Sequence, residues 1–286
     1  MRPAAVRAYV DEALGLLQRH SIESAQADWP AVRAEAHAAT ASARGPEDTY
    51  DAIRHVIATL GNPHTHLITA ERAASPRRHA MPTGRLLDGT GWLVLPPTHS
   101  RHGSAYVTAG LRALRRLIAT RPTGWVVDLR GNGGGDMHPM LTVVAPLLGE
   151  GERGRFVGPH GSTGWGVRRG HVYNGDRTAF RWRRIPAARS EPVAVLTDHR
   201  TASSGEAVLI SFLGAAGTRT FGTPTAGYAT ANQSFPLPDG ARLAITTALM
   251  ADRTGRTYGN APVVPQAVVD GDALTAAIEW LSARQP

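Results

Sequence analysis

Three short segments place a reactive or backbone-exposing group at the end of a regular element. Asp128-Leu129-Arg130-Gly131-Asn132-Gly133-Gly134-Gly135 follows an apolar run, and its consecutive glycines bare backbone N–H groups with no side chain in the way. Such a loop suits an anion or a developing oxyanion, and it equally suits an ordinary turn. It carries neither G-x-G-x-x-G nor G-x-x-x-x-G-K-[ST], the patterns spaced for nucleotide phosphates. The second segment is Thr201-Ala202-Ser203-Ser204-Gly205-Glu206-Ala207, between an expected strand and an expected helix. A serine at such a turn holds its hydroxyl at the positive end of the helix, where free amides can stabilise a tetrahedral oxyanion. Ser203 and Glu206 are also three apart, the capping-box spacing, so a purely local helix cap is the other reading.

The third segment, Leu60-Gly61-Asn62-Pro63-His64-Thr65-His66-Leu67, brings two histidines. Histidine is the usual general base near neutral pH. No Asp, Glu or Cys cluster nearby completes a metal site around the pair, so neither a metal nor a cofactor is expected. His138 and His199 compete for the role of base, being the histidines closest in sequence to the first two segments.

Composition removes several other chemistries. There is no cysteine, hence no disulfide, thiolate ligand or cysteine nucleophile. All 31 Lys+Arg positions are arginine, so the chain contains no lysine. The net charge of +8 is spread out, with its densest runs at Arg112/Arg115/Arg116 and Arg181/Arg183/Arg184, which argues against a nucleic-acid partner. The N-terminal segment lacks the apolar stretch of ~7–15 residues of a secretory signal. No window reaches the ~18 apolar residues of a membrane span. A soluble, cytoplasmic chain without membrane contact is expected.

The elements that must position these groups follow from periodicity. Val6, Val10, Leu14 and Leu17, then Tyr50, Ile53, Val56, Ile57 and Leu60, recur at helical spacing, and Gly61 and Pro63 end that run. Residues 1–70 are read as a small helical subdomain, 71–83 as a Pro- and Arg-rich linker, and 84–286 as an α/β core. Within the core, strands are expected at 91–95, 124–129, 192–197 and 242–249, and helices at 109–118, 140–148 and 206–213. A hairpin within 166–182 turns at Asn174-Gly175. The alternation gives a layered α/β fold.

In this order the three segments resemble the tail-specific (C-terminal processing) serine peptidase family, which also includes the tricorn core and the interphotoreceptor retinoid-binding modules. The resemblance spans nearly the whole chain. The family's D-L-R-x-N-x-G-G segment is matched by Asp128–Gly135, and its nucleophile, three residues before an acidic residue at a helix start, falls on Ser203. Its G-E-x-T-x-G segment is replaced by Gly222-Thr223-Pro224-Thr225-Ala226-Gly227, and the lysine base of bacterial members by Tyr228. With no lysine in the chain, a Ser–Lys dyad cannot be rebuilt, and arginine, with a pKa above ~12, cannot stand in. The tricorn branch uses a histidine within L-G-T-S-H, similar to Leu60–His64, which implies that His64 is the base.

Departures from that branch fall at Pro63, in place of the serine, and at Gly259, in place of the glutamate of Y-E-N-x-G-x-x-P-D. The resemblance leaves Asn260, or a backbone carbonyl, to orient the imidazole. It further implies a crotonase/ClpP-like core without a PDZ domain, and oxyanion donors at Ser204 and Gly134. The expected reaction is transfer of a peptide or small acyl substrate to water. Relatives often assemble, which admits a homo-oligomer. Two other readings stay open: a binding homologue without catalysis, favoured by Pro63 and Gly259, and a small-molecule acyl hydrolase or cyclase, favoured by the missing peptide-capture domain.

Overall fold

Apolar residues at helical spacing produce three N-terminal helices, Pro3–His20, Trp29–Ala39 and Tyr50–Thr59. The Asp28 carboxylate caps the second, accepting from Ala31 N–H at 3.3 Å, and Pro30 sits in the first turn where its missing N–H costs nothing. The third ends at Gly61, whose φ of +74° turns the chain back. The computed structural model describes residues 3–75, 79–182, 185–187 and 189–284, so Arg183 and Arg184 lie outside the described residues.

The chain divides into two units. The first comprises Met1–Arg77, Gly158–His160 and Thr230–Ala248, so the helical region is completed by residues that follow it far along the sequence. Its core joins Val10, Leu14, Leu17 and Ile53 from the helices to Leu243 and Ile245 from the strand Arg242–Asp252. The short strand His66–Ile68 pairs antiparallel with that strand, His66 opposite Ala244. Tyr9 and Tyr50 donate their hydroxyls to the Asp239 carboxylate at 3.0 and 2.5 Å, tying two helices to the turn before this strand. The stretch read as a linker begins in a short helix, Ala70–Ala74.

The second unit comprises Arg78–Val157, Gly161–Ala229 and Leu249–Pro286. Its centre is a six-stranded sheet in the order Ala267–Val268, Thr218–Gly222, Val193–Thr197, Gly124–Asp128, Thr90–Val94, Thr83–Leu87. All neighbours are parallel except the last pair. The two central strands are buried along their whole length because both faces are covered, as parallel sheets require. Trp125, Val127, Val193 and Val195 face helices Gly103–Ala119, Met137–Leu148 and Ser204–Phe212. Val126, Ala194 and Leu196 face Ala273–Ser282. A set of antiparallel strands joins the same unit, and the hairpin His171–Asn174/Arg177–Phe180 turns where the Asn-Gly pair placed it.

The fold is therefore mixed α/β with a helical N-terminal region. Arg112, Arg115 and Arg116 lie on the exposed side of Gly103–Ala119. The register places Val126 opposite Ala194 and Asp128 opposite Leu196, so the two central strands end at the same edge and release the loops 129–136 and 198–203 side by side. In open α/β sheets, ligands bind outside these carboxyl ends.

Close helix packing supports this layer. A Cβ on Gly110 would lie 2.5 Å from Val143 Cγ2, in the seam between Gly103–Ala119 and Met137–Leu148. Gly110→Ala is expected to lower unfolding free energy by about 1–3 kcal/mol, as overpacking does. Urea denaturation measures it, and adding Val143→Ala should recover part of the loss.

Candidate active site

The Gly-rich loop and the serine turn are stapled together. Asn132 is fully buried. Its Nδ2 donates to Leu95 O at 2.8 Å, its Oδ1 accepts from Gly134 N–H at 3.0 Å, and its backbone carbonyl accepts from Ala202 N–H at 2.9 Å. Three further bonds cross between the loops. Thr201 Oγ1 donates to Leu129 O, Gly131 N–H donates to Asp198 Oδ1, and Ser204 Oγ donates to Gly135 O, each at 2.9 Å. The approach is so close that glycine is required twice. A Cβ on Gly205 would sit 2.5 Å from Asn132 O, and one on Gly134 would sit 2.9 Å from Ser203 Cβ and Ser204 N.

Ser203 is the N-cap of Ser204–Phe212, with φ +52° and ψ −116°. An ordinary N-cap takes extended backbone angles, so capping alone does not call for this conformation. A non-glycine residue held there stores about 1–3 kcal/mol of strain, which persists only where its surroundings enforce it. One enforcing group is Glu206, fully buried, whose Oε2 accepts from Ser203 N–H at 2.8 Å. The same carboxylate accepts from Tyr228 N–H at 2.8 Å, Gly227 N–H at 3.0 Å and Thr225 Oγ1 at 2.5 Å. Burial pushes its pKa up, and the hydrogen bonds pull it part of the way back. The acidic residue three after the serine thus anchors the segment 225–228 as well as the helix start.

The oxyanion donors need one correction. Gly134 does pack against Ser203, but its amide hydrogen is committed to Asn132 Oδ1 and is not available to a ligand. Among the described residues, Ser204 N–H and Gly135 N–H donate to no protein acceptor.

His64 is fixed within the N-terminal unit from three sides. Its N–H donates to Asn62 Oδ1 at 3.0 Å, its carbonyl accepts from Asn232 Nδ2 at 2.7 Å, and its ring Nδ1 lies 2.6 Å from Thr230 Oγ1. Asn232 is held in turn by Thr246 Oγ1 at 2.8 Å. Burial, with a smaller push from His66, drives the His64 pKa down to about 4, so the ring is neutral at pH 7. His66 is exposed, its Nδ1 turned to His64 O. Asn260 is exposed in the bend after Thr257–Tyr258, and the partner found on His64 Nδ1 is Thr230 instead. His138 Nδ1 pairs with Asp136 Oδ1 at 3.0 Å, and His199 is exposed. Among the described residues no group of three or more His, Cys, Asp or Glu side chains is arranged to hold a metal, and no helix is long and apolar enough to cross a membrane.

Thr230 escaped the sequence reading. The available signal was faint: Thr230, Asn232 and Ser234 alternate along Thr230–Pro236, which marks a polar strand face but not its partner.

Residues 98–269 match the model of Peptidase family S41. Over 285 residues the chain is 28% identical to the nisin-resistance protein of Lactococcus lactis subsp. lactis, spanning 99% of this chain and 89% of that protein. A lipoprotein from Streptococcus agalactiae has a similar structure, with a TM-score of 0.83 over 98% of this chain and 97% of that one, at 24% identity. The photosystem II D1 C-terminal processing protease gives a TM-score of 0.68 over 97% and 96%, at 16% identity. The chain belongs to peptidase family S41 and is a serine-type peptidase.

Asn132→Ala strands the Gly134 N–H and the Leu95 carbonyl without partners in a buried setting. Each such group costs about 1–3 kcal/mol. The variant is expected to unfold at distinctly lower urea, while substitutions at exposed Asn260 should leave the midpoint unchanged.

Proposed function

We propose that this peptidase hydrolyses peptide bonds with Ser203 as nucleophile and His64 as general base. His64 Nε2 takes the hydroxyl proton as Ser203 Oγ attacks the scissile carbonyl carbon. The carbonyl oxygen becomes an oxyanion, held by the N–H groups of Ser204 and Gly135. The imidazolium then returns its proton to the leaving amine nitrogen, the C–N bond breaks, and an acyl-enzyme ester remains. Water attacks the ester, again losing a proton to His64, and the peptide carboxylate leaves as Ser203 regains its hydrogen. One oxyanion donor of this kind contributes about 2.7–4 kcal/mol.

The observation that carries this reading is the backbone of Ser203, held at φ +52° at the start of a buried helix, with the Gly135 carbonyl bound to the next residue's hydroxyl. The absence of lysine supports histidine over the Ser–Lys alternative. The relative named for nisin resistance makes that peptide a sensible first substrate.

Ser203→Ala and His64→Ala should each lower turnover at least ~10³-fold, as loss of a triad member does. Nisin and a peptide library read by mass spectrometry provide the assay, with a fluorophosphonate probe to label the nucleophile. Unchanged turnover in Ser203→Ala, or an unlabelled wild type, would remove Ser203 from the mechanism. A clear preference for small hydrophobic esters over every peptide would overturn the substrate class.

The acidity of His64 sets the pH response. With its pKa at about 4, the ring gains its proton only below that pH, and activity should rise as pH rises through about 4 and stay level through neutrality. An acid limb in kcat/KM near ~6.5, the ordinary histidine value, would contradict this environment.

A further inference from the structure

The geometry points to Thr230 as the positioning residue of the general base: its hydroxyl accepts Nδ1–H of His64 and so fixes the tautomer whose Nε2 carries no hydrogen and can take the serine proton. This rests on the Ser203–His64 reading. Three observations carry it, all within the N-terminal unit.

The first is the contact itself. Thr230 is buried, and its Oγ1 lies 2.6 Å from His64 Nδ1, at the short end for a bond between nitrogen and oxygen. The second is that the backbone carrying the ring is held, because both backbone polar groups of His64 are already engaged, by Asn62 and by Asn232. Thr230 and Asn232 point from the same face of Thr230–Pro236, so a single strand holds the histidine at ring and carbonyl together. The third is that this strand has holds of its own that do not involve His64. Asn232 Oδ1 is engaged by Thr246 Oγ1, and the Ala231 carbonyl accepts from Thr247 Oγ1 at 3.4 Å.

A hydroxyl suits this place chemically. Its oxygen accepts from Nδ1–H both in the neutral base and in the imidazolium formed during attack, with the hydroxyl hydrogen rotated aside. A methyl in its place accepts from neither. Since the oxygen is neutral, it orients the ring without the strong upward push on pKa that a carboxylate would exert, in keeping with the depressed value of His64. The sequence resemblance looked for this group near Tyr258, whereas the fold supplies it from the strand that returns to the N-terminal unit.

Thr230→Val removes the acceptor at nearly constant shape, and Thr230→Ser restores it. The Val variant is expected to lower kcat roughly 10–100-fold with KM nearly unchanged, the loss typical of misaligned catalytic groups. Its acid limb should move to still lower pH, because the cation loses its acceptor. Ser should recover most of the rate. A readout that mere structural support would not move is ¹⁵N NMR of histidine-labelled protein. Wild-type His64 is expected to show a protonated Nδ1 and an unprotonated Nε2 at pH 7, and the Val variant a shift toward the Nε2–H form. This measurement on the wild type stands even if Thr230→Val folds poorly. A wild-type His64 protonated chiefly at Nε2, or a folded Thr230→Val with wild-type kcat, overturns the inference. If Ser203→Ala and His64→Ala are inactive while Thr230→Val is not impaired, only the role of Thr230 falls; if those two remain active, the underlying mechanism falls instead.

Discussion

The amide of Asn132 is the interaction on which the serine turn depends. Two parallel strands deliver two loops to one sheet edge, and loops so placed would ordinarily keep apart to stay hydrated. Asn132 satisfies buried backbone groups from both sides, taking Gly134 N–H and giving to Leu95 O through its side chain while its own carbonyl takes Ala202 N–H. Once those groups are paired, water is no longer needed between the loops, and the glycines at 134 and 205 become a consequence of the distance rather than a source of flexibility. The strained backbone of Ser203 persists because the residues flanking it, Ala202 and Gly205, are already bonded and cannot relax together.

Glu206 completes the constraint from below. A buried carboxylate is costly unless fully bonded, and this one accepts from four donors. A glutamine would present two hydrogens of its own to an arrangement of donors, so only an acceptor-only group fits. The capping-box spacing and the nucleophile reading are therefore not rivals. The same carboxylate that caps the helix at Ser203 reaches the loop that ends at Tyr228, two residues before the strand that holds His64.

What was legible in the sequence was whatever depends on local pattern. The buried strands at 124–128 and 193–197 read as continuous apolar runs, the N-terminal helices as three-to-four spacing, and the hairpin as Asn174-Gly175. What was not legible depends on partners distant in the chain. Nothing local says that 230–248 packs on residues 1–77, because an alternating strand fits many neighbours. For the same reason Thr230 looked like any strand threonine. The Gly134 amide was misassigned for a related cause: sequence reveals that a glycine bares its N–H, but not that the side chain two residues earlier has already taken it.

In the proposed mechanism a histidine stands where other members have a lysine base, and that changes the electrostatic task of the scaffold. A lysine starts near ~10.4 and must be driven down by several pH units before it holds a lone pair at neutrality. An imidazole starts near ~6.5 and needs little help. In this chain burial carries His64 further, to about 4, so its protonation state is constant over the neutral range, though a base of low pKa also pulls less strongly on the serine proton. A carboxylate on Nδ1 would restore basicity and bring titration back toward neutrality, whereas the hydroxyl of Thr230 leaves the ring neutral and aligned. In the proposed mechanism the driving force lost at the base has to be made up where the charge develops. That places the weight of catalysis on the amides of Ser204 and Gly135, and so on the loop geometry that Asn132 holds.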